Sequence, residues 1–393
     1  MLVMVLVAVL FTVFSPTWGM AMDETNRPFP AGSVAYLQEK DRRGPWFIHL
    51  IRIDRHNPNY FFTTTLGGER KIGRATLTDQ LLSLPMDKGK PVAAINGDFF
   101  LMNLHHFGDP RGLQVIDGEL VSAPAGHSSL WFDANGAPCS TNVYSDFRIH
   151  FPDGSSAPFD LNQNRWHDES ILFTAANGSS TRTWGGREIE LAPLPEQSWL
   201  PLRIGQEMKV KVAKVREGGN TRLGPDSLVF SLGSRLASKV PVLKPGDELV
   251  ISTATRPNLT GVTTAIGGGP KLVTDGKAWK WKNPEQARHP RSAIGWDRDF
   301  IFLVVVEGEQ KTSVGMTFPE LATYLVGLGC EEALNFDGGG SSALWYQGKT
   351  VIQASQNDER LVANALVLCE RPVIEGLGGK EGKSLSPQGG KKR

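Results

Sequence analysis

The sequence predicts an α+β fold of mostly β character with a mixed sheet, and three observations support this prediction. The 393 residues include 43 glycines and 25 prolines, a composition typical of a chain with many turns. Short apolar or alternating runs, separated by turn dipeptides, recur along the chain. A strand–helix–strand pattern lies near residues 300–336. Hydrophobic residues make up 40% of the chain, which is enough for a sizeable core.

The N-terminal segment predicts a signal peptide over residues 1–21. Residues 1–14 are almost entirely apolar, and no charged residue precedes Asp23. Pro16 interrupts a helix there, and small residues lead up to a cleavage position after Ala21. We therefore expect a secreted or periplasmic protein. An uncleaved membrane anchor is the alternative. The segment has no Lys or Arg before its apolar run, which counts against export and leaves its orientation open.

The first elements after this segment are strands and a short helix. Residues 34–39, 46–53 and 92–95 form short apolar or alternating runs, which predict strands. Residues 76–84 begin with a Thr-x-x-Asp helix start signal and predict a short helix that ends near Pro85.

From residue 113 to about 260 the pattern is one of hairpins. Turn steps of the Asp-Gly, Asn-Gly and Pro-Gly type stand at 117–118, 135–136, 177–178 and 245–246. Residues 140–255 carry no helical pattern, so we predict a β-rich insertion or lobe there, within one domain over 22–375. The Gly-, Lys- and Ser-rich tail, 376–393, is predicted to be disordered.

The pattern changes after residue 267. Residues 300–306 read FIFLVVV, as expected for a strand buried on both faces. Thr317 and Glu320 form a capping box at the start of an amphipathic helix, and residues 333–336 form the next strand. A strand–helix–strand unit predicts that its two strands are parallel neighbours with a right-handed crossover.

Charge and cysteine content exclude several classes of protein. Lys and Arg number 42 against 41 Asp and Glu, so no basic field exists for nucleic acid. Cys139, Cys330 and Cys369 form no C-x-x-C pair, which excludes a zinc ribbon and a disulfide scaffold. A Cys330–Cys369 bridge and buried free thiols both remain open. We expect a substrate rather than a lipid or a nucleic acid as the partner.

The strongest functional motif is the sequence NFDGGGSS at 335–342. It follows the presumed parallel strand, and α/β sheets place their sites at the carboxyl ends of such strands. Three successive glycines can present their N–H groups as an anion nest, with the carboxylate of Asp337 beside it. The alternative is a plain glycine-rich turn that Asp337 caps. It is not a P-loop, because no Gly-Lys-Ser/Thr follows.

A second motif, NGDFF at 96–100, closes the strand at 92–95. Its aromatic residues predict either a wall for sugar stacking or a buried corner, and the alternative is a hairpin with Asp98 in the turn. The adjacent His105 and His106 lack a second ligand pair, so we interpret them as incidental.

Two further residues stand at strand ends. Arg291 begins a strand and could bind a phosphate or carboxylate in bidentate fashion, or lie in an ordinary salt bridge. Glu307 directly follows 300–306, where catalytic groups are often found, although a hydrated strand end is equally consistent.

Taken in order, these segments resemble the phosphodiester glycosidase family. The matching pieces are VAAINGDFF, AIGGGPKLVTDGK, RHPRSAIGWD, FIFLVVVEGEQ, GMTFPELATYLVGLGCEEALNFDGGGSSALWYQGK and VANALVL. Together they cover roughly residues 34–368. The resemblance implies hydrolysis of a sugar-1-phosphodiester with release of the free sugar, and many relatives have Asp where this chain has Glu307.

The motifs that carry the resemblance define the candidate site. We predict catalytic roles for Asp337, Glu307, Arg291 and Asp98. We predict substrate-binding roles for Asn96, Gly97, Phe99, Asn335, Gly338, Gly339, Gly340 and Ser341. The sequence predicts no required cofactor and leaves the need for a divalent cation open.

The residues are consistent with cleavage of the C1–O bond. The leaving group is then a phosphate monoester, whose second pKa is about 6, and it needs less proton donation than a sugar alkoxide. We hypothesise that Arg291 and the 338–340 turn hold the phosphate, while Asp337 or Glu307 activates water or attacks the anomeric carbon. The individual nucleophile, base and acid stay unassigned.

Two non-catalytic alternatives remain. One is a metal-dependent surface module, in which the carboxylates bind calcium, although the Asp-x-Asp-x-Asp-Gly loop is absent. The other is a polysaccharide-binding protein with an exposed aromatic strip supplied by Trp184, Trp199, Trp279 and Trp281, residues that more often pack in cores and at edges.

Overall fold

The computed structural model describes residues 32–102, 107–195, 199–283, 287–352 and 359–372. The predicted signal peptide at 1–21, the His105–His106 pair and the tail at 376–393 lie outside the described residues.

The described chain is mostly β, as the sequence predicts. Its strands are β1 (Val34–Asp41), β2 (Trp46–Asp54), β3 (Tyr60–Leu66), β4 (Lys90–Asn96), β5 (Gln114–Ile116), β6 (Glu119–Ser122), β7 (Ala125–Phe132), β8 (Pro138–His150), β9 (Ser156–Pro158), β10 (Asp160–Leu161), β11 (Ser170–Thr174), β12 (Arg187–Pro193), β13 (Glu207–Glu217), β14 (Leu228–Leu232), β15 (Glu248–Arg256), β16 (Ala265–Gly267), β17 (Lys271–Thr274), β18 (Lys277–Ala278), β19 (Arg291–Trp296), β20 (Phe300–Val306), β21 (Glu332–Asn335), β22 (Leu344–Tyr346), β23 (Lys349–Thr350) and β24 (Asn364–Glu370). The helices are α1 (Leu77–Leu82) and α2 (Phe318–Gly327), with 3-10 turns at Met86–Lys88, Ala175–Asn177 and Gly339–Ser341.

These strands form three sheets. The seven-stranded sheet has the order β1-β2-β20-β19-β21-β17-β18. The five-stranded sheet has the order β23-β22-β4-β24-β3. The twelve-stranded sheet has the order β10-β11-β14-β12-β13-β15-β8-β7-β16-β5-β6, with β9 paired to β8. Its β10–β11 pair is parallel.

An apolar cluster between the seven-stranded and five-stranded sheets positions the candidate site. Leu334 of β21 and Ile95 of β4 both belong to it and are fully buried. Both residues immediately precede the end of their strand, so their packing brings the two strand ends together. The hydrogen bond from Asp337 N to Gly97 O, at 2.9 Å, joins the segments that follow these ends.

Both helices begin where the sequence predicts. The Thr76 hydroxyl caps α1 by accepting a hydrogen bond from Asp79 N at 3.0 Å. At α2, Thr317 and Glu320 form the predicted capping box: Glu320 N donates to Thr317 Oγ1 at 3.3 Å, and Thr317 N donates to Glu320 Oε2 at 2.9 Å. The helix ends at Gly327.

The prediction that the two strands of the 300–336 unit are neighbours is wrong. β20 and β21 do run parallel, but both pair antiparallel with β19, which lies between them. β19 and β20 form a hairpin, and β2 pairs with the other edge of β20. Both edges of β20 are therefore occupied, by β2 and β19. The chain that leaves β20 passes through α2 and enters the sheet as β21, on the far edge of β19.

The region at 140–255 has the predicted β-rich character. Its described residues form strands of the twelve-stranded sheet and the 3-10 turn Ala175–Asn177. An apolar cluster that includes Phe147, Phe230 and Ile251 packs beneath them. The assignment of this region as an insertion or lobe within a domain over 22–375 stays a prediction.

The cysteines are free thiols. Cys330 packs in the cluster beneath α2, and Cys369 lies in β24 against α1, so the two are in different parts of the core. The conceivable bridge between them is absent. Within the described ranges, neither helix has the length and apolar character needed to cross a bilayer.

Candidate functional site

The site is built around Asn96, the last residue of β4, whose side chain is 0% exposed. Its Nδ2 donates to Asp337 O at 2.7 Å. Its Oδ1 accepts hydrogen bonds from Ser292 Oγ at 2.7 Å and from Ala343 N at 3.0 Å. One buried amide therefore connects β4, β19 and the turn that follows β21.

Gly97 continues this junction through its backbone. Its N donates to Asn364 O at 3.0 Å, and its O accepts from Asp337 N at 2.9 Å. A Cβ here would lie 2.4 Å from both Asn364 Oδ1 and Ile266 Cδ1, so the approach requires glycine. Asn96 and Asp337 are 241 positions apart in sequence and lie in direct contact.

Asp98 lies beneath the site and is 4% exposed. Its Oδ1 accepts from Phe99 N at 2.8 Å, and its Oδ2 accepts from Gly112 N at 2.7 Å. Its own N donates to Asn364 Oδ1 at 2.8 Å. A Cβ on Gly267 would lie 2.2 Å from Asp98 Oδ2, so the carboxyl group occupies space that only glycine leaves at this position.

Burial raises the pKa of Asp98 to about 7. The backbone hydrogen bonds to its carboxyl group lower this pKa, as does the charge of Arg111, and the charge of Asp337 raises it. Asp98 therefore exchanges its proton near neutral pH.

Asp337 is the half-buried member of this pair of acids. Burial raises its pKa, while hydrogen bonds from the Ser341 hydroxyl and from Gly338 N, and the charge of Arg360, lower it. The bond from Gly338 N to Asp337 Oδ1 is 2.9 Å long. Two neighbouring carboxyl groups with perturbed pKa values are typical of sites that move protons.

The glycine turn offers fewer N–H groups to a ligand than the sequence predicts. Gly338 N donates to the side chain of Asp337, and Gly339 N donates to Pro290 O at 2.8 Å. Two of the three glycine N–H groups are thus used within the protein, which leaves at most Gly340 for a ligand. The turn Gly339–Ser341 that contains them is a 3-10 turn rather than a hairpin.

Arg291 borders the glycine turn, and its guanidinium group binds backbone carbonyls and an aromatic ring of the protein. Its Nε donates to Met316 O at 2.9 Å and its Nη2 to Ala287 O at 3.4 Å. Its guanidinium carbon lies 4.0 Å from the ring centre of Phe318. Its Cδ is 3.8 Å from where a Cβ on Gly338 would lie. This placement favours a role in fixing the turn over direct phosphate binding.

Two arginines outside the predicted site, Arg360 and Arg111, lie near the acids. Arg360 Nη1 is 2.9 Å from where a Cβ on Gly340 would lie, and its charge lowers the pKa of Asp337. Arg111 acts in the same way on Asp98. Both arginines are exposed. They supply positive charge where an anionic substrate would approach.

Glu307 is held by a buried histidine. His49 Nε2 and Glu307 Oε1 are 2.9 Å apart, and His49 Nδ1 is 2.7 Å from the hydroxyl of Tyr36. Because a carboxylate oxygen accepts, this geometry assigns the proton to Nε2. The Tyr36 hydroxyl accepts in turn from Gln38 Nε2 at 2.7 Å. The carboxyl group is therefore oriented from within the seven-stranded sheet.

Asn335 is fully buried; its Nδ2 binds backbone, while its Oδ1 has no hydrogen-bond partner among the described residues. Its Nδ2 donates to Gly269 O at 2.8 Å, and its O accepts from Gly269 N at 2.7 Å. These bonds hold the glycine-rich loop that begins at Gly267. Phe99 is half-buried, and its O accepts from Arg111 N at 2.9 Å, so the chain continues past Gly97 without the hairpin that an Asn-Gly step often forms.

Several residues that contact the candidate site lie within or beside the segments that carry the family resemblance, but they were not predicted as site residues. Ser292 lies inside the matched RHPRSAIGWD segment, Asn364 lies inside VANALVL, and Arg360 precedes that segment by two positions. Gly112 and Arg111 lie outside every matched segment, and nothing in the sequence distinguishes them.

Two observations bear on the metal-binding and glycan-binding alternatives. Within the ranges that the structure describes, no group of three or more His, Cys, Asp or Glu residues is placed to hold a metal ion. Trp184 and Trp279 are 79% and 49% exposed, while Trp199 and Trp281 pack partly against apolar clusters. The four tryptophans therefore do not share one environment.

Comparison with known families supports the interpretation of the motifs. Residues 209–369 match the model of the family described as phosphodiester glycosidase, which confirms the resemblance. The matched part includes Arg291, Glu307, Asp337 and Arg360, and the Asn96 motif precedes it. The SPbeta prophage-derived uncharacterized protein YomE of Bacillus subtilis (strain 168) is 34% identical over 82 residues, which is 21% of this chain and 13% of YomE.

Three solved structures are similar to this chain. A hypothetical protein from Synechocystis has a TM-score of 0.68 at 20% identity, covering 86% of this chain and 62% of that one. A candidate exported protein from Burkholderia pseudomallei K96243 has a TM-score of 0.64 at 22% identity, covering 83% and 74%. The pro-peptide-inhibited catalytic domain of zebrafish N-acetylglucosamine-1-phosphodiester α-N-acetylglucosaminidase has a TM-score of 0.45 at 15% identity, covering 88% and 85%. The first two share the fold of this chain.

Substituting Asn96 with alanine should destabilise the protein strongly. The Ser292 hydroxyl, Ala343 N–H and Asp337 carbonyl would each lose a buried partner, and one such loss costs about 1–3 kcal/mol. We expect the free energy of unfolding, measured in urea, to fall by about 3 kcal/mol or more. The control, Asn135→Ala in an exposed turn, should change it little. Equal stability of the two variants would contradict the role of Asn96.

The raised pKa of Asp98 predicts a pH dependence of stability. In the window from about pH 4 to about pH 7 the folded state holds a proton that the unfolded state has released. The contribution of Asp98 to the free energy of unfolding is therefore complete below about pH 4 and is lost as the pH rises to about 7. Asp98→Asn should flatten this part of the unfolding profile, by about 1.4 kcal/mol per pH unit.

The matched control for this profile is Asp226→Asn, which changes an exposed carboxyl group. Its urea-unfolding free energy should follow the wild-type pH dependence. If Asp98→Asn also kept the wild-type slope, Asp98 would titrate as an ordinary carboxyl group and its assignment as a raised-pKa acid would be wrong.

Proposed function

We propose that this chain is a hydrolase that cleaves the C1–O bond of a glycosyl-1-phosphodiester in a polysaccharide or glycoconjugate. The family match over residues 209–369 supports hydrolase chemistry of this class. The observation that carries the proposal is the contact between the Asn96 and Asp337 motifs, because it places two acids of raised pKa beside exposed arginines.

Asp337 is the group that we assign to the reacting centre. It is half-buried, whereas both oxygens of Asp98 already accept backbone hydrogen bonds beneath it. In our proposal Asp337 activates water or attacks the anomeric carbon. Asp98 modulates the charge of Asp337 from below, since each carboxyl group raises the free energy of ionising the other.

The remaining predicted residues have supporting roles in this proposal. Asn96 and Asn335 position the turn through backbone contacts and do not touch the sugar. Arg291 anchors the turn from the side of α2. Glu307, oriented by His49, is a second carboxyl group for the sugar or for water. The phosphate leaves as a monoester, whose low second pKa of about 6 reduces the need for a strong acid.

We propose a secreted or periplasmic location for this reaction. The apolar N-terminal sequence supports export, and the fold is shared with a candidate exported protein. A polysaccharide or glycoconjugate outside the cytoplasm would then be the substrate.

The test is a screen of the purified chain against diesters of several sugar-1-phosphates, with release of free sugar as the readout. Asp337→Asn should lower the rate by about 10²- to 10⁴-fold, the range expected for loss of a catalytic proton-transfer group. The exposed Asp226→Asn serves as the matched control and should retain the wild-type rate.

Two outcomes would contradict the proposal. Near-normal turnover by folded Asp337→Asn would remove Asp337 from the reacting centre. Binding of the glycans without any turnover would favour the non-catalytic alternative, in which the exposed Trp184 and Trp279 contact sugar. Activity that disappears with exhaustive EDTA treatment and returns with a divalent cation would instead add a metal requirement, which the sequence leaves open, to the proposed hydrolysis.

A further inference from the structure

A small cavity adjoins the glycine turn. Its volume is about 70 Å³, and its polar lining consists of Gly340, Ser342, Thr350, Glu359 and Arg360, together with Ser341. One molecule takes up about 30 Å³ in liquid water. The cavity therefore has room for a group of several heavy atoms.

The polar groups of this cavity are incompletely used within the described part of the chain. Ser342 is 1% exposed, and its Oγ has no hydrogen-bond partner there. A buried hydroxyl without a partner is costly, so a ligand or water is expected at it. No hydrogen bond or ion pair is made by the Arg360 guanidinium to any described residue, although it adjoins Gly340.

The one acidic side chain in the lining has its own partners. Glu359 Oε1 accepts from Thr78 N at 3.0 Å, and Glu359 Oε2 accepts from Thr350 Oγ1 at 3.4 Å. Both carboxylate oxygens are thus directed at protein donors. The groups left to face a ligand are two donors, the Arg360 guanidinium and the Ser342 hydroxyl, with the backbone of Gly340 between them.

We propose that this cavity binds a phosphate group, through Arg360, Ser342 Oγ and Gly340 N–H. A guanidinium with adjacent hydroxyl and backbone donors is the donor set that phosphate oxygens prefer. The inference rests on the proposed function in one respect: the phosphate is the one that leaves the sugar, so phosphate and phosphate monoesters inhibit the hydrolysis.

This assignment differs from the expectation drawn from the sequence. Arg291 and the three glycine N–H groups were the expected phosphate ligands, but Arg291 is bound to Met316 O and stacks on Phe318. The phosphate therefore lies on the Arg360 side of the turn. Asp337, which precedes the turn, then faces the sugar side of the scissile bond.

The test measures the affinity of inorganic phosphate for the full chain by calorimetric titration, without any glycosyl substrate. Arg360→Gln should weaken phosphate binding by about 10-fold or more, as expected for loss of a charged hydrogen-bond donor. Ser342→Ala should weaken it by about 2- to 10-fold. Arg298→Gln, at an arginine on the exposed β19–β20 turn, is the matched control and should bind phosphate as the wild type does.

Gly340→Ala tests the same site without removing a charge. The added Cβ would lie 2.9 Å from Arg360 Nη1, in the space assigned to the phosphate, and should weaken phosphate binding at least as much as Ser342→Ala. Gly224→Ala is its control, because the nearest atom to a Cβ there is Ser227 Oγ at 3.7 Å. Unchanged thermal midpoints would show that the variants are folded.

The inference is overturned if the wild type takes up no phosphate, or if Arg360→Gln and Gly340→Ala bind it as the wild type does. Its failure is distinguishable from that of the proposed function. Phosphate binding that depends on Arg360, without hydrolysis of any diester, would leave the cavity assignment standing and reject the enzyme. Hydrolysis that is changed neither by added phosphate nor by Arg360→Gln would reject the cavity assignment and leave the proposed enzyme standing.

Discussion

The buried amide of Asn96 is the interaction on which the candidate site depends. It donates to the carbonyl of Asp337 and accepts from Ser292 and Ala343, so one side chain ties β4 to β19 and to both ends of the glycine turn. In an interior of low dielectric, a satisfied network of this kind fixes one arrangement, because every alternative leaves a buried polar group unpaired. The position of Asp337 therefore depends on a side chain that is fully buried.

This arrangement explains the electrostatics of the site. Holding Asp337 against Gly97 places it above the buried Asp98, and burial raises the pKa of both acids. The exposed guanidinium groups of Arg360 and Arg111 act in the opposite direction from the solvent side. The result is a pair of acids of raised pKa beside two exposed arginines, an environment suited to an anionic substrate.

The sequence predicted what is local and missed what depends on the three-dimensional arrangement. Thr76 and Thr317 cap their helices as predicted, because capping involves residues only three positions apart. β20 and β21 were expected to be neighbours, yet the β19–β20 hairpin fills that place, which no local pattern reveals. The motifs also selected segments that the fold brings into contact, but they could not tell that the guanidinium of Arg291 turns to α2 while that of Arg360 borders Gly340. Side-chain direction is set by packing between distant segments.

The most direct test of the account is hydrolysis of a glycosyl-1-phosphodiester in water labelled with ¹⁸O, followed by mass spectrometry of both products. Attack at the anomeric carbon beside Asp337 predicts that the label enters the released sugar and that the phosphate monoester contains none. Label in the phosphate would mean cleavage of the P–O bond, and it would contradict a site in which the acids act on the sugar.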